Sequence, residues 1–151
     1  MELALLPTPK IPKKLKNEHA QGLKSFEALK KLLSNIKKNA KLNAQDIKQL
    51  EEVFGERVKK ALESIANKKV KKYLFRPSGV VRWVVEGQEC NYLVIESSFC
   101  SCKDFLFTAL LKREVPACYH LLARELAEKT DKFEQIIVDD SHYLDYMEKW
   151  L

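Results

Sequence analysis

A chain of 151 residues is long enough for one domain with a real core and an appendage. Hydrophobic residues make up 46%, yet no apolar run is long enough to span a bilayer, and the apolar start at Met1–Leu6 is too short for a secretory signal, so a membrane-spanning or exported protein is not expected. The net charge of +6 is unevenly spread: residues 1–44 carry ten lysines against three glutamates, while residues 45–151 carry seventeen Lys/Arg against eighteen Asp/Glu.

Pro7 to Lys16 reads as an extended basic arm punctuated by Pro7, Pro9 and Pro12. From about Glu18 to Asn39 the pattern is helical, with Leu23, Phe26, Leu29, Leu33 and Ile36 on one stripe and most lysines off it. Asn43 is placed to cap a second helix ending at Phe54 with Gly55 as its stop, and a third helix spans about Glu56 to Ala66. After Asn67 the period changes to that of a strand. Val70–Phe75 and Val80–Val85 flank a Pro77-Ser78-Gly79 turn, and Cys90–Ile95 follows a second turn at Glu86-Gly87-Gln88. Asp104 opens an apolar helical stretch through Leu111, Pro116 breaks it, and another helix runs from about Tyr119 to Lys129. Phe133–Val138 is an apolar run of either type. Asp140 or Ser141 then caps a last helix bearing Tyr143, Tyr146 and Trp150.

The chemistry concentrates between Phe99 and Leu122, where Cys100-x-Cys102 is followed after fifteen residues by Cys118-x-His120. Three thiolates and one imidazole form a usual ligand set for a closed, tetrahedral structural zinc site. Residues two apart on an extended chain share a face, so Cys100 and Cys102 can turn both sulfurs to one ion. Cys118 lies just before the following helix and His120 in its first turn, near the positive end of the dipole. The competing readings are a disulfide, which between Cys100 and Cys102 would be strained, or buried free thiols. Cys90 is the spare cysteine and reads as a quiet thiol packed in a strand.

Catalysis finds no support in the pattern. Four protein ligands leave the ion no open position, the chain's four glycines build no phosphate loop, and no activated Ser or Cys arrangement exists outside the cluster. His19 and His142 read as surface residues, and Asp139 and Asp140 as caps rather than a carboxylate pair. Lys10, Lys13, Lys14 and Lys16 of the arm and Lys68, Lys69, Lys71 and Lys72 around the first hairpin are candidates for contacting nucleic acid; the other reading is a solvated lysine-rich segment for the N-terminus and a lysine-protected strand edge for the hairpin. Tyr143, Tyr146 and Trp150 are either core or a partner-binding stripe.

Cys-x-Cys followed by Cys-x-His resembles the SWIM zinc domain. Leu50-Glu-Glu-Val-Phe-Gly55, Pro77-Ser-Gly79, Val81-Arg82-Trp83, Phe99-Cys-Ser-Cys102 and Cys118-Tyr-His-Leu-Leu122 extend the likeness to the compact SWIM subunit of the Shu complex, over about residues 45–140. The resemblance implies one structural zinc on Cys100, Cys102, Cys118 and His120. It also implies a RecA-family recombinase paralogue as partner, and a role in promoting recombinase filaments on single-stranded DNA in homologous recombination. The basic N-terminus lies outside it. The expected architecture is α+β: residues 1–42 a basic arm and amphipathic helix, 43–67 a helical region packing on the core, and 68–151 the zinc domain. Within the last, a three-stranded antiparallel meander precedes a zinc-clamped helical pair and a C-terminal helix. The alternative is a stand-alone DNA-binding zinc module of transposase-like or regulatory type. Either reading places the protein inside the cell, in the cytoplasm of a prokaryote or the nucleus of a eukaryote.

Overall fold

The computed structural model describes residues 27–96 and 98–151. Lys10, Lys13, Lys14, Lys16 and His19 lie outside these residues.

Helical residues 27–35 (α1) bury Leu29 and Leu33, and Ile36 follows them into the core. Helix α2, Ala44–Phe54, begins at the predicted cap: the Asn43 side chain accepts from the Asp46 amide and the Asp46 carboxylate accepts in return from the Asn43 amide. It stops at Gly55, whose φ of +57° suits a residue without a Cβ. Helix α3, Arg57–Ala66, turns Val58, Ala61 and Ile65 inward. Helix α2 packs on α3, α3 packs on helix α4 (Tyr119–Thr130), and α4 in turn lies on one face of a sheet, so that one buried core joins the helices to Val70, Trp83, Val85 and Val94.

The predicted meander forms the centre of that sheet. Strands β1 (Val70–Arg76), β2 (Val81–Glu86) and β3 (Asn91–Ile95) pair antiparallel in sequence order, with Leu74 opposite Val81 and Val85 opposite Tyr92. Gly87 lies where the chain turns from β2 to β3; a Cβ there would come within 2.4 Å of the Tyr92 ring and 2.8 Å of the Cys90 carbonyl oxygen. Two further strands complete a five-stranded sheet of order β4-β3-β2-β1-β5. Strand β4 is only Phe99–Cys100, against the end of β3, and β5 is Glu134–Asp139, parallel to β1. The apolar run of undecided type is therefore an edge strand, and the meander is three strands of five. Cys90 differs from expectation: β3 begins one residue later, and the thiol is exposed in the preceding bend.

Alternation along the strands gives the sheet two buried faces. Val70, Trp83, Val85 and Val94 face helix α4 and the core it shares with the N-terminal helices. Phe75, Val84 and Leu93, with Tyr73 and Val138, face helix α5, Tyr143–Trp150. Arg124 of α4 is 1% exposed; its guanidinium stacks 4.6 Å from the Trp83 ring and pairs with Glu125 and Glu128 at 2.9 and 2.7 Å. Asp139 accepts from the Ser141 amide and so caps the short 3-10 turn Asp140–His142 ahead of α5. Asp140 reaches back instead to the β1–β2 turn, accepting from the Ser78 amide and hydroxyl at 2.8 and 2.7 Å. Among the described residues no helix is long and apolar enough to cross a membrane.

Candidate metal centre

Three pieces of local structure bring the cysteines and the histidine together: a strand end, the bend after it and the start of a helix. Cys100 ends β4, fixed by its pairing opposite Val94, and Cys102 follows in the bend after it. Cys118 is the N-cap of α4, its sulfur accepting from the Leu121 amide at 3.4 Å, and His120 sits in the first turn. The Cys102 sulfur accepts from the Phe105 amide at 3.2 Å. All four side chains are buried, and one donor atom from each lies within 4.8 Å of the others. Tetrahedral zinc with bonds of about 2.0–2.3 Å spaces its ligands by about 3.3–3.8 Å, which this cluster can meet.

The protonation chemistry favours a cation in the same place. Donation from Cys100 and Cys118 holds the Cys102 thiol well below its ordinary range. Cys100 is pushed far up by its bonds to Cys102 and Cys118 and by burial. For Cys118 the bond from Cys100 acts downward, but Cys102 and burial outweigh it and the thiol is pushed up to about 12. Three sulfurs in mutual contact thus share protons rather than ionise together, and a divalent ion inverts that balance. His120 gives an independent sign. Both ring nitrogens are buried and neither makes a well-formed hydrogen bond, although the ring lies near enough to Cys102 to help hold that thiol down; the ring centres 4.5 Å from that of Tyr92 and 3.9 Å from that of Tyr119. A buried polar atom left unmatched costs about 1–3 kcal/mol; coordination by one nitrogen removes much of that cost. The residues present therefore fit a zinc ion held by Cys100, Cys102, Cys118 and His120.

The surroundings tie this cluster to both sides of the molecule. Ser101, between two of the ligands, accepts from the Leu93 amide at 3.0 Å and donates to the Trp150 carbonyl oxygen of α5 at 2.8 Å. Arg57 of α3 donates to both carboxylate oxygens of Asp104, at 2.9 and 3.3 Å. Neither link carries a sequence signal beyond the position of Ser101 inside the motif. Cys90 opens onto the same cleft as Tyr92, Cys102 and His120.

The other candidate residues are dispersed. Lys68 is exposed, at φ +54° in the turn before β1. Lys71 pairs with Glu134 of β5 and lies 3.6 Å from Glu86, whereas Lys72 sits 5.5 and 5.7 Å from the rings of Trp83 and Phe133 on the opposite face. On α5, Trp150 is buried against Tyr73 and Phe75, and Tyr143 and Tyr146 pack beside it. Leu144 is the large apolar residue that this helix turns most fully outward.

A Cys-x-Cys pair leaving a strand and a Cys-x-His pair opening a helix, closed on one ion site, define a SWIM-type zinc finger. No family model and no solved structure matches the chain, but curated proteins do. It is 32% identical over 123 residues to a zinc finger SWIM domain-containing protein 7 homologue from Dictyostelium discoideum, spanning 80% of this chain and 78% of that one. It is 26% identical over 123 residues to the human zinc finger SWIM domain-containing protein 7, spanning 80% and 87%. An uncharacterised protein of Archaeoglobus fulgidus is 41% identical over 93 residues, 62% of this chain and 70% of that one. The chain belongs to the zinc finger SWIM domain-containing protein 7 family.

Proposed function

We propose that this protein is a non-catalytic, zinc-clamped adaptor. It pairs with a RecA-family recombinase paralogue and promotes recombinase filaments on single-stranded DNA in homologous recombination repair. The observation that carries the non-catalytic part is the donor set: four side chains fill the tetrahedral positions and leave none for water or substrate. Zinc bound there supplies cross-linking rather than Lewis-acid chemistry. The partner is supported by family membership together with the likeness to the Shu-complex SWIM subunit over about residues 45–140. The lysine-rich segment before residue 45 adds salt-sensitive affinity for the DNA backbone. Such a protein works where the chromosome is, in a prokaryotic cytoplasm or a eukaryotic nucleus.

The test is purification of the tagged protein from its own cells, with metal assayed on the same material. One zinc per chain and a co-purifying RecA-family ATPase are expected. The uneven charge favours one competing reading, a stand-alone DNA-binding module. That reading predicts zinc without the ATPase and a DNA affinity of the isolated protein that falls when Lys10, Lys13, Lys14 and Lys16 are replaced. Metal-free protein with reversible disulfides among Cys100, Cys102 and Cys118 would overturn both.

A further inference from the structure

The apolar helical stretch expected between the two ligand pairs forms, but not as an ordinary α-helix and not with its apolar side chains buried. Residues Phe105–Leu111 wind as a π-helix, and Phe105 alone is buried. Leu106, Phe107, Leu110 and Leu111 stand 43, 52, 51 and 63% exposed. Positions 106 and 110, and 107 and 111, lie one turn apart, so the four side chains make a continuous ridge. Four of the ten large apolar side chains exposed among the described residues fall within these six positions. Concentrated apolar exposure of this kind marks an interaction site, and π-winding is commonly kept where function requires it.

A loosely attached segment would explain the exposure, but this one is held at both ends. Its first amide donates to the Cys102 sulfur, and Asp104 just before it takes Arg57 and the Thr108 hydroxyl, the latter at 2.8 Å. The Phe105 ring packs 5.7 Å from that of Phe99. At the far end the Lys112 and Glu114 amides donate back to the carbonyl oxygens of Phe107 and Thr108, both at 3.0 Å. The segment that carries the ridge is therefore anchored beside the metal cluster at its first residue. Its flanks are basic: Lys103, Lys112 and Arg113 are exposed, Asp104 is engaged by Arg57, and Glu114 is the remaining acid.

We propose that the ridge Leu106–Leu111 is the surface that docks the RecA-family partner, taking an apolar segment of that protein bordered by acidic side chains. This rests on the adaptor reading above. It also gives the zinc a task, since the ion fixes the residue from which the ridge starts.

The test is co-expression of the full chain with each RecA-family paralogue of the source organism, followed by affinity measurement on the complex. Phe107→Glu combined with Leu110→Glu should lower affinity on the order of 100-fold while zinc content and melting temperature stay unchanged, because both side chains are half exposed. Lys112→Glu with Arg113→Glu, which leaves the apolar residues intact, should slow association and weaken its salt dependence. Leu144→Glu on α5 should have no effect. Full affinity in both ridge variants, or equal loss in Leu144→Glu, overturns the ridge and leaves the adaptor reading standing. Failure of every paralogue to bind the unaltered protein overturns both.

Discussion

The two faces of the sheet are closed by different means. On one, α4 lies against the strands with almost all of its first two turns buried, and its start is tied by Cys118 and His120 to the strand end at Cys100. On the other, a helix of eight residues closes the core through rings: Trp150 centres 4.7 Å from Tyr73, and Tyr143 lies 5.0 Å from Phe75. The first face combines the larger apolar core with a cross-link between a strand end and a helix start, while the second rests on a smaller cluster of rings and aliphatic side chains alone. A domain of this size has limited core to share between two faces, and a metal clamp is one of the few devices that can hold a whole layer at one point. Ser101 joins the two systems, bonded to β3 on one side and to α5 on the other.

Metal removal separates the faces most sharply. Structural zinc contributes on the order of 10 kcal/mol to the folding of small domains, comparable to the whole stability of a typical protein. Chelation, or Cys118→Ser, is therefore expected to abolish cooperative unfolding and collapse amide protection of α4, as hydrogen exchange would show. If α4 keeps its protection without metal, the clamp is not what closes that face. Next in size, Trp150→Ala should cost about 3–5 kcal/mol while the protein retains one zinc per chain. Loss of zinc in that variant would mean that the two faces do not fold separately. Ser101→Ala removes the joint itself and should cost about 1–3 kcal/mol, because the Leu93 amide loses its acceptor and the Trp150 carbonyl oxygen its donor. Denaturant titration followed by tryptophan fluorescence would read it, with zinc content again unchanged.

The smallest expected effect lies at the sheet edge. The bond from Lys71 holds the Glu134 carboxyl below its ordinary value of 4.5. A depressed folded-state value means that its contribution is present above that pH and is lost as the pH falls through the depressed value. Since the carboxylate is exposed, the contribution is small and screened by salt. Melting temperatures of the protein and of Glu134→Gln should differ slightly at neutral pH and converge in acid. A gap that persists in acid would show that the ion pair is not what holds β5.

Much of the metal centre was legible because ligand chemistry is local. Cys100-x-Cys102 and Cys118-x-His120 announce their partners by residue type and spacing, and the Pro116 break predicts where α4 starts. The meander and the Asn43 cap were readable for the same reason, since alternation and capping depend on neighbours in the chain. Cys90 was misjudged because strand ends are set by pairing, and pairing begins only at Asn91 opposite Glu86.

What the sequence by itself determined is therefore the set of local elements, the four ligands and the class of ion they accept. Only the tertiary structure decided that Glu134–Asp139 adds in parallel to β1, that Arg124 is buried on Trp83, that Ser101 bridges to Trp150, and that the apolar run after Cys102 faces outward. The physical reason is distance along the chain. Lys71 and Glu134, or Ser101 and Trp150, meet across roughly fifty residues or more, and no periodicity within either segment encodes which surface the other will bring.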